Sequence, residues 1–97
     1  MIDLPPSQLE EVRRILRRWV PDRRVAAFGS RVTGDARRYS DLDLVILGEE
    51  PLPLSTLFQL KDAFEESDLP IRVDVVDQAR MAPDFFERLR EQMEIID

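Results

Sequence analysis

Residues 29–46 read GSRVTGDARRYSDLDLVI, and the architecture of the chain turns on that stretch. Just upstream, Val25-Ala26-Ala27-Phe28 is a short apolar run that predicts a buried strand. Gly29-Ser30 turns the chain out of it. Arg31-Val32-Thr33 can start a helical turn with Ser30 as its expected N-cap, and Gly34 can end it. Ser40 then precedes Asp41-Leu42-Asp43-Leu44-Val45-Ile46-Leu47, expected as a second strand. Side chains alternate along a strand, so Asp41 and Asp43 share a face. Their Cα atoms would lie about 6.6 Å apart at roughly 3.3 Å per residue. Two carboxylates at that spacing can close on one hard cation or hold two between them.

The two halves of the stretch complement each other. A Gly-Ser turn into a helix start leaves unpaired N–H groups and the positive end of a helix dipole, which suits a phosphate. The carboxylate pair beside it suits Mg²⁺, which is commonly held by one or two carboxylates together with substrate phosphates.

The chain has 97 residues, which predicts one domain over residues 1–97 with one modest core. It contains no cysteine and no histidine. A disulfide framework, a thiolate or imidazole metal site and a histidine base are thereby excluded, and acid–base and metal work falls to carboxylates. The first residues, Met1-Ile2-Asp3-Leu4-Pro5-Pro6, lack the basic and apolar regions of a signal peptide. No apolar run approaches the ~20 residues that span a bilayer. A cytoplasmic protein without membrane contact is the expectation. Net charge is −6, divided as +4 over residues 1–40 and −10 over residues 41–97. A basic first part beside an acidic remainder fits arginine meeting phosphate and aspartate meeting metal, although a solvated charged surface gives the same asymmetry. Net acidity argues against direct nucleic-acid binding.

Elsewhere the elements follow in order. Ser7-Gln8-Leu9-Glu10 has the form of a capping box, and Leu9, Val12, Leu16, Trp19 and Val20 make one apolar face of a helix over 8–19. Arg13, Arg14, Arg17 and Arg18 lie off that face and are expected in solvent. Pro21 stops the helix. A second helix is predicted over 54–66, with Ser55 as its cap and Leu57, Leu60 and Phe64 inward. Residues 71–76 alternate as a third strand, with Ile71, Val73 and Val75 on one face and Asp74 on the other. A carboxylate there either finds a salt bridge or joins Asp41 and Asp43 at a metal. Pro83 opens a last helix over 83–93, and Ile95-Ile96 forms an edge strand or a packed tail.

Asp-x-Asp and Gly-Ser are each weak signals alone. Together they describe an apolar strand, Gly29-Ser30, ten residues, Asp41-x-Asp43 at the head of a second strand, and Asp74 inside a third. The competing reading has Ser30 capping a turn while the acids pair with Arg31, Arg37 and Arg38. In this combination the sequence resembles the nucleotidyltransferase superfamily of DNA polymerase β, and within it the minimal nucleotidyltransferases. Gly29, Ser30, Asp41, Asp43 and Asp74 match the family pattern position for position. Arg31, Gly34 and Ser40 fit the common form of its turn.

The resemblance implies the polymerase β catalytic-core fold: a mixed α/β (α+β) sheet of three to four strands in the order α-β-(short α)-β-α-β-α. It also implies an enzyme using ATP and two Mg²⁺ ions. Asp41 and Asp43 would hold both metals, and Asp74 would hold the one that activates the acceptor. Gly29 and Ser30 would hold the β- and γ-phosphates, and Arg31, Arg37 or Arg38 would steady the leaving pyrophosphate. Minimal members of this superfamily are paired with HEPN-domain toxins as antitoxins and transfer AMP to a toxin tyrosine. Two rivals remain at this level: a binding module that occludes its partner, and nucleotidyl transfer to a small molecule or an RNA end.

Overall fold

The computed structural model describes all residues 1–97. Helix α1, Pro6–Trp19, leads to strand β1, Val25–Phe28. A single turn, α2, Ser30–Thr33, and a loop lead to β2, Leu42–Ile46. Helix α3, Leu54–Glu65, is followed by β3, Val73–Asp77. After a 3₁₀ turn at Gln78–Arg80 come helix α4, Pro83–Leu89, and β4, Glu94–Ile95. The four strands form one mixed sheet in the order β3-β2-β1-β4. Strand β1 is antiparallel to β2 and β4, while β2 and β3 are parallel. A parallel pair needs a crossover, and α3 supplies it. The expected mixed sheet and element order are present, and the C-terminal tail pairs with β1 as an edge strand. No helix is long and apolar enough to cross a membrane.

Alternation gives the sheet two unlike faces. Val25, Ala27, Leu42, Leu44, Ile46 and Val75 are buried with Val12, Ile15 and Leu16 of α1 and with Leu57, Leu60 and Phe64 of α3. Each such side chain removed from water stabilises the fold by about 1.5–3 kcal/mol. The residues between them, including Phe28, Asp43 and Asp74, point to the opposite face by the same alternation. The helices and the hydrophobic cluster therefore lie on one side, and Asp43 and Asp74 lie on the other.

Several boundaries differ from the sequence reading, each for a physical reason. Helix α1 starts at Pro6 with Pro5 as its cap, and no side chain caps it, so the Ser7 capping box is not formed. Pro5, with φ −57° and ψ 143°, already has the extended cap conformation, and Pro6 fits the first helical position. Pro53 likewise displaces Ser55 as the cap of α3. Strand β3 begins at Val73, opposite the first residue of β2, and runs on to Asp77, opposite its last. Helix α4 ends at Leu89 rather than at 93. It buries no residue fully, so no packing prolongs it, and the chain turns back to pair with β1. The arginine face of α1 is not all solvent: Arg13 Nε donates to the Ile96 carbonyl at 2.8 Å, and Arg17 Nε reaches Asp97 Oδ1 at 3.1 Å.

Asp77 lies one residue beyond the strand that the sequence predicts over 71–76. Its side chain is fully buried at the far end of β3. Oδ2 accepts from the Leu52 backbone N–H at 2.8 Å, and Oδ1 accepts from that of Ala79 at 3.2 Å. Arg80 Nε stands 3.4 Å away and Arg23 Nη2 3.9 Å. This carboxylate pins the loop before α3 and the turn after β3 to one point. Replacing Asp77 with Ala leaves the Leu52 amide without its acceptor and removes the one carboxylate beside the part-buried Arg23 and Arg80 side chains, and is expected to cost about 3 kcal/mol in urea denaturation. Replacing half-exposed Asp74, two residues earlier on the same strand, is expected to cost less than about 0.5 kcal/mol.

Candidate functional site

The site is assembled by strand register. Asp43 of β2 stands directly beside Asp74 of β3 and directly beside Phe28 of β1. Parallel neighbours in a sheet lie about 4.8 Å apart, so the two carboxylates are adjacent on one face. Asp41 sits one residue before β2, exposed, and not inside the strand as expected. Ser40 holds its approach: the Ser40 hydroxyl accepts from the Arg37 backbone N–H at 2.8 Å, and the Ser40 N–H donates to the Arg37 carbonyl at 3.1 Å.

Gly29 links the turn to the acids. It has φ +80° and ψ −157°, and it, not Ser30, is the N-cap of α2. Val32 and Thr33 both donate to its carbonyl, at 3.0 and 3.1 Å. A Cβ placed on Gly29 would stand 2.5 Å from Asp43 Oδ2. The carboxylate thus rests against the bare Cα of the turn, which only glycine permits. The turn has no side-chain cap, and the N–H groups of its first residues have no partner within it.

The electrostatics follow from this crowding. Burial, then the charge of Asp74, then that of Asp41 push the Asp43 carboxyl above its ordinary value. Asp43 is thus the acid on which the crowding falls. The three acids lie along a strip and are not closed into a three-ligand cage. Asp74 Oδ1 leans towards Arg72 Nη2 at 3.4 Å, across two exposed side chains, a pairing worth little. A hard cation between the acids would offset both the burial and the neighbouring charges that raise Asp43, so the donor set fits Mg²⁺ in charge and in ligand chemistry.

The arginines divide. Arg37 and Arg38 are exposed on the loop before β2, with the Arg38 guanidinium 5.5 Å from the ring centre of exposed Tyr39. Arg31 was expected to meet pyrophosphate, but it is buried and its guanidinium donates to backbone carbonyls. It is no free cation of the site. The competing salt-bridge reading also fails for Arg31, since none of its partners is a carboxylate. One hollow of about 520 Å³ runs along β3 as far as Asp74, and a second of about 540 Å³ lies behind the Arg37–Tyr39 loop. The first touches Asp74, and neither is lined by Gly29, Asp41 or Asp43. Asp41 is exposed and Asp74 half-exposed, so the acid strip opens to solvent.

Two outcomes follow for the metal-free chain. The folded-state pKa of Asp43 lies above its unfolded value, so ionisation opposes folding as pH rises through that interval. Replacing Asp43 with Asn is expected to raise Tm at pH 7, with a gain that shrinks as the buffer is acidified through the carboxylate range. Replacing Gly29 with Ala is expected to lower stability by about 1–3 kcal/mol, because a left-handed residue and a clash with Asp43 coincide, and to disturb the acid strip. Scanning calorimetry across pH checks the first, and denaturant titration the second.

Residues 9–97 match the model of the nucleotidyltransferase domain family. The chain is 50% identical over 95 residues to the probable protein adenylyltransferase MntA of Haemophilus influenzae, a match covering 98% of this chain and 83% of the relative. A chain solved under the description of a minimal nucleotidyltransferase superposes with a TM-score of 0.69 at 33% identity, covering 91% of this chain and 88% of that one. The fold is also that of a toxin–antitoxin structure solved with AMP-PNP, at a TM-score of 0.75 and 23% identity, covering 92% of this chain and 72% of that one. Sheet order, acid placement and these matches agree: the chain belongs to the nucleotidyltransferase domain family, in its minimal form.

Proposed function

We propose that residues 1–97 act as one catalytic domain that moves AMP from ATP to a hydroxyl, a tyrosine by the family resemblance, on a partner HEPN toxin, and so serve as its cytoplasmic antitoxin. The observation that carries this reading is the side-by-side register of Asp43 and Asp74, with Gly29 seated against Asp43. Half-identity to a protein named as a probable protein adenylyltransferase supports the reaction class. Solved toxin–antitoxin structures of the same fold support the kind of partner. The open strip favours a macromolecular acceptor, since a small molecule would need enclosing walls. On the same sheet face, exposed Ile95 and half-buried Phe28 offer apolar area for a partner to cover.

In this reading Asp41, Asp43 and Asp74 would hold Mg²⁺, which when bound would supply charge neutralisation for the triphosphate and a lower pKa for the acceptor. The chain's own groups do the positioning. Gly29 and Ser30 present backbone N–H groups to the β- and γ-phosphates, and Arg37 reaches the leaving group from the loop. The acceptor oxygen forms a bond to the α-phosphorus. The bond from that phosphorus to the bridging oxygen breaks, and pyrophosphate departs with the bonding pair. Asp74 takes the acceptor's proton in this reading, which its half-exposed position on the outer strand supports.

The test is transfer of label from α-³²P-ATP to the co-expressed toxin. Replacing Asp41 and Asp43 together with Asn is expected to lower transfer by about 10³-fold or more while the fold is kept. Undiminished labelling by that variant would refute the assignment. Full stoichiometric neutralisation of the toxin by the same variant without ATP would favour occlusion. Turnover of an aminoglycoside or an RNA end by the isolated chain would favour a different acceptor.

A further inference from the structure

Arg31 is a charged side chain only 4% exposed, with no carboxylate partner, placed next to Ser30 in α2. Its Nε donates to the Ser40 carbonyl at 2.9 Å. Its Nη2 donates to the Arg38 carbonyl at 3.2 Å and the Arg37 carbonyl at 3.4 Å. Its Nη1 donates to the Asp3 carbonyl at 2.8 Å. The Asp3 N–H donates back to the Arg31 carbonyl at 2.7 Å, so residues 3 and 31 clasp each other. Ile2 and Leu4, on either side of Asp3, pack against the hydrophobic core. One guanidinium thus ties three segments together: the turn that carries Gly29 and Ser30, the loop that ends at Asp41, and an N-terminal strap.

We propose that Arg31 is a positioning residue, which sets Asp41 against Asp43 by gathering the carbonyls of residues 37, 38 and 40 and the strap carbonyl of residue 3. The two acids need this because they are held by different means. Asp43 lies within β2, paired on both sides by the ladders of β1 and β3. Asp41 lies outside the strand, at the end of a loop with no regular structure. Its place relative to Asp43 is decided by how that loop is tethered, and the carbonyl of Ser40, the residue immediately before Asp41, is one of the groups Arg31 holds. A guanidinium suits the task, because its planar fork serves several acceptors at once where an ammonium is a point charge. Without it, carbonyl dipoles converge with nothing positive between them, and the loop relaxes. The strap has the same standing: it supplies the fourth carbonyl and packs against the core through Ile2 and Leu4.

The inference rests on the metal–nucleotide reading of the acid strip, so its test includes a measurement free of that reading. Arg31→Lys, Arg31→Met and Asp3→Pro are compared with the full-length wild-type chain. The last removes the Asp3 N–H donor and leaves every guanidinium bond in place. Amide hydrogen exchange at Arg37 and Ser40 is expected to quicken by about 10-fold or more in Arg31→Lys, while amides inside β2 keep their protection. Mg²⁺ titration in the presence of a non-hydrolysable ATP analogue is expected to weaken by about 10–100-fold. Transfer to the toxin is expected to lose kcat by a similar factor, with KM for ATP changed less than about 3-fold. Asp3→Pro moves each readout the same way by less. Should Arg31→Met fail to fold, the other two variants decide. Unchanged exchange at residues 37–40 in Arg31→Lys would overturn the proposal. So would a rise in KM for ATP with exchange and Mg²⁺ titration unaltered, since Arg31 would then be touching the nucleotide. A wild-type chain that takes up no Mg²⁺ with the analogue would sink the proposed function instead, and the exchange data would still judge Arg31.

Discussion

The crowding of one carboxylate, Asp43, is the constraint on which the rest of the structure depends. Asp43 is partly withdrawn from water and stands near the charges of Asp74 and Asp41, which together raise its pKa. Like charges so close disfavour the ionised form, and a fold keeps them together only if its stability comes from elsewhere. Here it comes from the other side of the sheet, where α1 and α3 cover the strands with aliphatic side chains. The strain of the acid strip and the packing that tolerates it are separated by the thickness of one sheet. Gly29 lets the turn approach the most crowded acid without a side chain of its own in the way.

A single residue type plays opposite parts in this chain. Asp74 and Asp77 lie three residues apart on β3, and alternation sends them to different faces. Asp74 is half-exposed and bound only loosely to Arg72. Asp77 is sealed in with two arginines and two backbone donors. The arginines divide in the same manner: Arg31 and Arg23 are built into the frame, whereas Arg37 and Arg38 stand in water. Charge alone does not separate machinery from scaffold here. Burial and hydrogen-bond partners do.

Much of this was legible beforehand, and the failures have identifiable causes. The alternation of Ile71, Val73 and Val75 put Asp74 on the face of Asp43, and the turn expected beside the carboxylate pair does meet Asp43. The same alternation, carried two residues further, placed Asp77 on the core side, a signal that went unused because the strand was ended at Val76. Ser7, Ser30 and Ser55 all looked like caps, yet Pro5, Gly29 and Pro53 took those positions. A backbone already confined or freed by proline or glycine outweighed a hydroxyl's hydrogen bond. Arg31 was misjudged because no one-dimensional pattern shows that residues 3, 37, 38 and 40 converge on it. That knowledge belongs to tertiary structure alone.

The parallel pairing of β2 with β3 has one more consequence. Because Asp43 and Asp74 are cross-strand neighbours, the gap between their backbones is the interstrand repeat of any sheet, which no side-chain substitution can widen or narrow. The spacing from which the two carboxylates reach towards a small ion is therefore inherited from peptide hydrogen bonding itself. Evolution can repaint everything around those two positions and the gauge between them will stay the same.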